Sequence, residues 1–286
     1  MRLTLGLKLE SSTGHPMPGY MLLPDRVSPA PIVVLLAGHN GFVNWSWYPY
    51  LAERLRDAGL VVVSFDFSLC GVEFGQDRFA RLDLYEENSP TTEITETLQV
   101  VASLRDGTLP YSERLDTRRI GLYAHSLGGG VALCAAAQDS AIGALALWSS
   151  ISTIKVWPES AMTEWRKKGR FGMRNNRTGQ DLYLGQKFLR DIDEAASRFN
   201  IIDAAKRSTC PILLVHGEDD RDVPVSHAHE LRAAAGQARV TLELIPGTGH
   251  TYGVAHPLAQ TTPHLERAIG TTVTWLTRTL KPTVGP

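Results

Sequence analysis

Short apolar runs recur along the chain and are separated by amphipathic segments. The runs at 32–36 and 60–65 are almost entirely aliphatic and aromatic, which is typical of strands buried on both faces of a parallel sheet. The segment between them, 48–58, has helical periodicity and is followed by Gly59, a favoured residue just beyond a helix C-terminus. The alternation predicts an α/β fold with a mostly parallel, doubly wound sheet.

One region interrupts this alternation. The segment 149–208 has no apolar strand run and is rich in aromatic and basic residues. We predict that it forms a mainly helical cap over the carboxyl ends of the strands, where such sheets bind ligands. The predicted domains are a core of 1–148 and 209–286 with the cap inserted between them. Further strands are predicted at 2–9, 19–23, 120–123, 142–148, 211–215 and 240–245, and further helices at 91–105, 127–138, 225–235 and about 265–280.

Composition narrows the class of protein further. The 286 residues carry a formal net charge of −1, so no global field favours nucleic acid or an anionic membrane. Three scattered cysteines favour free thiols in a reducing compartment. We recognise no signal peptide and no apolar run near the ~20 residues that span a bilayer. The expected location is therefore the cytoplasm.

Ser126 is the candidate nucleophile. It follows the apolar run 120–123 and precedes three glycines, Gly128 to Gly130, at the start of a helical pattern. A strand, a sharp turn and a helix in this order lift a serine hydroxyl clear of the sheet. A helix N-cap serine is the structural alternative. Ala124 replaces the first glycine of the G-x-S-x-G pattern and is still small.

His250 is the candidate base, because the strand 240–245 leads into a glycine-containing loop that can carry an imidazole towards Ser126. His256, in the same loop, is its rival. His125 is adjacent to the serine in sequence and is expected to line the turn. Two further histidines, at positions 227 and 229, are expected on a solvated helix face.

The candidate acid is Asp220, which lies in the turn after the strand 211–215. Asp222, just before the next helix, remains an alternative, and Asp219 is expected in solvent. For the oxyanion we predict two backbone N–H donors, those of Leu127 and His39, with Asn40 as an alternative to the latter. The chain order of serine, aspartate and histidine is that of α/β-hydrolases.

Together these segments resemble the α/β-hydrolase superfamily from Ile32 to Leu280. The acid loop, from His216-Gly217 through Asp220 to Val223-Pro224, is similar to that of its dienelactone-hydrolase-like and prolyl-oligopeptidase-like branches. A serine at position 126 differs from the cysteine of dienelactone hydrolases. The resemblance implies the α/β-hydrolase fold and a serine hydrolase.

We therefore expect a hydrolase that cleaves a small or medium carboxylic ester through an acyl-enzyme. A cinnamoyl or feruloyl esterase and a small-peptide peptidase are alternatives, and a non-catalytic ligand-binding homologue is the alternative from another class. The sequence lacks a dinucleotide-binding glycine motif, a Walker loop and a zinc motif, so no cofactor and no metal are expected. The expected partner is a small-molecule ester, without nucleic acid or membrane, and a homodimer is a further hypothesis.

The basic residues of the cap suggest a second hypothesis, that the substrate or its leaving group is anionic. Arg170, Arg174 and Arg177 are among them, and charge reversal at Arg170 and Arg174 would test the hypothesis. The alternative is a solvated surface that takes no part in binding.

Overall fold

An eight-stranded sheet forms the centre of the molecule. The computed structural model describes residues 3–25 and 29–280. Its strands are β1 (Leu3–Leu9), β2 (Met17–Leu23), β3 (Ala30–Leu36), β4 (Val61–Phe65), β5 (Leu115–His125), β6 (Ile142–Trp148), β7 (Phe171–Asn175), β8 (Gln180–Leu184), β9 (Ile212–Gly217) and β10 (Val240–Ile245). Its α-helices are α1 (Tyr48–Asp57), α2 (Leu82–Glu87), α3 (Pro90–Arg105), α4 (Leu127–Ala136), α5 (Glu159–Lys168), α6 (Gln186–Asp193), α7 (Ala195–Arg198), α8 (Ile201–Arg207), α9 (Ser226–Ala235) and α10 (Pro263–Leu280).

The strands lie in the order β1-β2-β4-β3-β5-β6-β9-β10. β1 pairs antiparallel with β2, and β2 pairs antiparallel with β4. From β4 to β10 every pairing is parallel. The predicted α/β fold with a mostly parallel, doubly wound sheet is confirmed. Within the described ranges, no helix has the length and apolarity needed to cross a membrane.

Helices cover both faces of the sheet, and this explains the unbroken apolar runs. In β3, Ile32, Val34 and Leu36 join the core beneath α3, α4, α8 and α9. Val33 and Leu35 join the opposite core, formed with α1 and α10. Because successive side chains of a strand point to opposite faces, a strand covered on both faces must be apolar at every position.

The insertion, residues 149–208, differs from the mainly helical segment expected from the sequence. It contains α5 to α8, but also the antiparallel hairpin of β7 and β8. Along β7, half-buried Phe171 and Met173 alternate with exposed Gly172 and Arg174, so no apolar run marks the strand. The last helix, α8, packs against α4 and α9 and thereby extends the layer that covers the sheet.

Candidate active site

Ser126 lies between β5 and α4, with a backbone conformation that few non-glycine residues adopt. Its φ is 56° and its ψ is −123°, which costs on the order of 1–3 kcal/mol. Two hydrogen bonds hold the turn: Ser126 N–H donates to Trp148 O at 2.9 Å, and Gly129 N–H donates to Ser126 O at 3.0 Å. The turn places the serine in the wall of two cavities at the carboxyl end of β5.

The glycines after Ser126 allow α4 to lie close to neighbouring segments. A Cβ at Gly128 would overlap the carbonyl oxygen of Ala37, and one at Gly129 would overlap Ser150 Oγ. A Cβ at Gly130 would lie 2.7 Å from Ile201 Cδ1. Side chains here would push away either the loop that follows β3 or the insertion, so the glycine run is explained by packing.

His250 reaches Ser126 from the loop that follows β10. Its Nε2 lies 3.1 Å from Ser126 Oγ, and its Nδ1 lies 2.8 Å from Asp220 Oδ2. The loop packs against the end of β9, because Asp219 N–H donates to Thr248 O at 3.0 Å. Three side chains from distant parts of the chain therefore form one hydrogen-bonded series.

Asp220, and not Asp222, is the carboxylate that contacts His250. Its Oδ1 accepts hydrogen bonds from the N–H groups of Asp222 and Val223, at 3.0 and 2.9 Å. Burial raises the pKa of Asp220, but hydrogen bonds from His250 and the backbone outweigh this, and the pKa lies below its ordinary value. Asp220 thus faces the imidazole as a buried carboxylate, while Asp222 is exposed.

Asp220, Asp222 and His250 also form a group of potential metal ligands. One atom from each lies within 4.8 Å of the others, in the part of the chain that the structure describes. Both ring nitrogens of His250 lie within hydrogen-bond distance of protein oxygens. Hydrogen bonding thus accounts for the positions of Asp220 and His250, and the backbone N–H of Asp222 donates to Asp220 Oδ1.

Two other histidines lie near this series without taking the place of His250. His125 is buried, and its Nε2 donates to the backbone oxygen of His250 at 3.0 Å. Burial, together with the neighbouring His250, lowers the pKa of His125 well below its ordinary value, so the His125 ring is neutral. Its hydrogen bond supports the loop that carries His250. His256, the rival base, accepts a hydrogen bond from Ser46 N–H at its Nδ1, at 2.8 Å.

The prediction for His227 is wrong. This residue is half-buried on α9 and lines a cavity together with Ser126. Its Nδ1 accepts a hydrogen bond from Ser152 N–H at 3.0 Å. The helical pattern of 225–235 identifies a helix but does not show that the insertion covers one of its ends. His229, by contrast, is exposed as expected.

The loop after β3 brings His39 and Asn40 to the site. A Cβ at Gly38 would lie 2.7 Å from His125 O, so this loop approaches the serine turn closely. Tyr85 of α2 donates from its hydroxyl to Asn40 Oδ1 at 2.6 Å and lies 3.1 Å from His39 Nε2. Burial lowers the pKa of His39 to about 4, so its ring is neutral at pH 7. The sequence analysis predicted neither α2 nor the contacts of Tyr85, because a helix of one or two turns shows little periodicity of apolar residues.

Two cavities meet at Ser126, His39, Asp222 and His250. The more polar of the two, the polar lobe of about 390 Å³, is lined further by Asn40, Trp45, Tyr48, Asn175, Asn176 and Arg177. The apolar lobe, of about 340 Å³, is lined further by Ile151, Ile154, Val156, Trp157, Met173 and Phe188. The insertion supplies walls of both lobes, and the sequence did not indicate which of its residues would do so.

This fold and this arrangement of side chains are those of a hydrolase with an α/β core. The model of the Alpha/beta hydrolase family matches residues 33–262, and the chain belongs to this family. It shares 25% identity over 218 residues with 2,6-dihydropseudooxynicotine hydrolase of Paenarthrobacter nicotinovorans. That match covers 74% of this chain and 50% of the relative, so the chain spans about half the length of the relative.

Solved structures share the fold at lower identity. Est1E from Butyrivibrio proteoclasticus superimposes with a TM-score of 0.68 at 18% identity, covering 96% of this chain and 98% of that one. EstE1, a carboxylesterase from a metagenomic library, superimposes with a TM-score of 0.68 at 19% identity, covering 98% of this chain and 90% of that one.

Proposed function

We propose that the protein is a serine hydrolase that cleaves a small or medium carboxylic ester through an acyl-enzyme. The observation that carries this proposal is the series from Ser126 Oγ through His250 to the buried carboxylate of Asp220. A serine hydroxyl is a weak nucleophile by itself and becomes a strong one when a neighbouring base removes its proton. The aspartate holds the imidazole in orientation and stabilises its protonated form.

In the proposed reaction Ser126 Oγ attacks the ester carbonyl carbon while His250 Nε2 accepts the hydroxyl proton. The imidazolium then protonates the leaving alcohol oxygen as the carbon–oxygen bond breaks, and the acyl group remains on Ser126. A water molecule, deprotonated by the same nitrogen, attacks the acyl carbon. The carboxylic acid leaves and the proton returns to Ser126.

The negative oxygen of the intermediate would be held by the N–H groups of Leu127 and His39. Leu127 is the first residue of α4, where N–H groups lack partners within the helix and the helix dipole favours negative charge. His39 lies on the loop packed against the serine turn, and both residues line the cavity. Tyr85, through Asn40 and His39, would keep this loop in place.

A cinnamoyl-type ester is a second candidate substrate. The apolar lobe presents the aromatic rings of Trp157 and Phe188, which suit stacking against a phenyl group. Est1E, which shares this fold, has been solved with ferulic acid bound. Activity on methyl ferulate relative to simple alkyl esters would distinguish the two substrate classes.

The test is turnover of p-nitrophenyl esters of graded chain length and of methyl ferulate, with Ser126→Ala alongside. We expect the variant to lose about 10⁴-fold or more in kcat. Exposed Ser140 supplies the control Ser140→Ala, which should retain activity. A fluorophosphonate probe should label the wild type and not Ser126→Ala. A wild type that neither turns over esters nor reacts with the probe would favour the ligand-binding alternative.

A further inference from the structure

Arg177 stands out among the residues of the polar lobe. It lies in the turn between β7 and β8, which Asn175 holds by accepting hydrogen bonds at its Oδ1 from the N–H groups of Arg177 and Thr178, at 3.1 and 3.0 Å. The turn carries the Arg177 side chain to the same cavity as Ser126. The hairpin missed in the sequence thus supplies a cation to the candidate active site.

The guanidinium of Arg177 is positioned but incompletely hydrogen-bonded. Its carbon lies 5.3 Å from the centre of the Phe42 ring, and Nη1 donates to the backbone oxygen of Asp77. Nη2 is buried and has no hydrogen-bond partner among the described residues. The Arg177 side chain still lines the cavity that contains Ser126, so its positive charge can attract an anion bound there.

The other arginines of the insertion are in a different situation. Arg166 pairs with Glu159 and Asp193, at 2.7 and 2.6 Å. Arg174 pairs with Asp181 at 2.9 Å on the exposed face of the hairpin. Arg166 and Arg174 contribute to the basic character of the insertion, but both are paired with acidic residues at the surface. Neither of them lines the cavity.

Arg170 likewise lies outside the residues that line either lobe. It packs over the ring of Tyr183, 4.3 Å from its centre, and lies 3.8 Å from Glu86. The hypothesis of an anionic substrate therefore has its structural support at Arg177 and not at Arg170 or Arg174, the two positions chosen to test it.

The charges around the polar lobe favour a ligand with one negative charge. Burial lowers the pKa of Arg177, Asp77 raises it and Arg78 lowers it, but an arginine stays charged at any working pH. Asp222 is an exposed carboxylate in the wall of the same lobe. Because Asp222 repels anions, it opposes a singly charged carboxylate less than a doubly charged phosphate.

We propose that the polar lobe binds a carboxylate of the substrate through the guanidinium of Arg177, so that the substrate is an ester that carries a free carboxylate on its acyl or its alcohol side. This rests on the proposed esterase function. The substrate class would be a half-ester of a dicarboxylic acid or an ester of a carboxy-substituted alcohol or phenol. The remaining side of the ester would occupy the apolar lobe.

The test uses pairs of esters that differ only in charge. One pair places the charge on the acyl side, mono-p-nitrophenyl glutarate against its methyl ester. The other places it on the leaving group, 4-carboxyphenyl butyrate against 4-carbamoylphenyl butyrate. The proteins are the wild type, Arg177→Met, and Arg174→Met from the same hairpin as the control.

We expect the wild type to prefer the charged member of at least one pair by about tenfold or more in kcat/KM. Arg177→Met should bring that ratio close to one, mainly through a higher KM, and Arg174→Met should leave it unchanged. Equal rates for both members of both pairs, or a preference that survives in Arg177→Met, would overturn the proposal.

A binding measurement separates this proposal from the esterase function itself. Calorimetric titration of Ser126→Ala with monomethyl glutarate and with 4-hydroxybenzoate needs no catalysis. Binding of either compound that is lost with Arg177→Met in the same background would support the carboxylate site even in a protein without esterase activity. If the wild type is active but Ser126→Ala binds neither compound, the carboxylate site is contradicted and the esterase proposal stands.

Discussion

Asp220 and Asp222 are two positions apart in one turn, yet their carboxylates have different surroundings. Oδ1 of Asp220 accepts hydrogen bonds from two backbone N–H groups, and its Oδ2 lies within hydrogen-bond distance of His250 Nδ1. The carboxylate of Asp222 is exposed at the cavity wall. A buried, hydrogen-bonded carboxylate orients an imidazole better than an exposed one, whose side chain is free to turn.

Substitution of these two residues tests their difference. Asp220→Asn removes the charge behind His250 and presents an amide to Nδ1, so we expect kcat to fall by about 10³- to 10⁴-fold. Asp222→Asn, the matched control, should change kcat far less. Steady-state kinetics on the best ester substrate provide the measurement. Similar losses in the two variants would contradict the role given to Asp220.

At the scale of elements, the site depends on how closely β5, α4 and the loop after β3 approach one another. Gly128 lies where a Cβ would overlap the Ala37 carbonyl oxygen, and Gly38 lies where one would come within 2.7 Å of His125 O. The same approach that brings the start of α4 beside His39 therefore excludes side chains at these positions. The glycine run is part of the geometry of the candidate oxyanion site.

Gly128→Ala should shift this loop. We expect a loss of about 1–3 kcal/mol in the free energy of unfolding, since overpacking displaces backbone, together with a lower kcat. Gly143→Ala is the control, because Gly143 is exposed on β6 and its Cβ would meet only Ile120 O, at 3.6 Å. Urea unfolding and ester kinetics measure both effects. Wild-type kcat in Gly128→Ala would show that the loop does not need this close contact.

On the scale of the whole molecule, buried titratable groups couple stability to pH. Burial raises the pKa of Glu93 to about 8 and that of Asp66 to about 7. Burial lowers the pKa of His39 to about 4. The two acids make the fold less stable as the pH rises through neutrality, whereas His39 makes it less stable as the pH falls from 6.5 towards 4.

Glu93→Gln isolates one of these contributions. Between pH 4.5, the ordinary pKa, and about 8, folded Glu93 keeps a proton that the unfolded chain has released. The free energy of unfolding therefore falls as the pH rises through this range. Glutamine does not titrate and can still accept the hydrogen bond from Asn88 Nδ2 at 2.8 Å.

We thus expect the variant to gain stability over the wild type between pH 5 and pH 8, by about 3 to 4 kcal/mol. Urea unfolding at both pH values measures it, with the exposed Glu113 substituted by glutamine as control. A difference between variant and wild type that stays constant with pH would contradict the coupling.

Local sequence patterns are sufficient to define the core of this protein. Strands buried on both faces need continuous apolar runs, so β3 and β4 can be predicted from the sequence without knowing which strands lie beside them. The turn at Ser126 is equally local, because a strand, a small-residue turn and a glycine-rich helix follow one another directly. The serine, aspartate and histidine could be predicted as candidates because each follows a strand that the sequence also predicts.

The tertiary structure alone decided which of these residues meet. Asp220 and Asp222 are alike in sequence, and only the packing of the β9 and β10 loops separates them. The β7–β8 hairpin has no continuous apolar run, and the partners of Arg177, the Phe42 ring and the Asp77 backbone oxygen, come from distant segments. The place of Arg177 in the cavity wall and the two lobes at Ser126 arise from contacts across the fold, which no local pattern encodes.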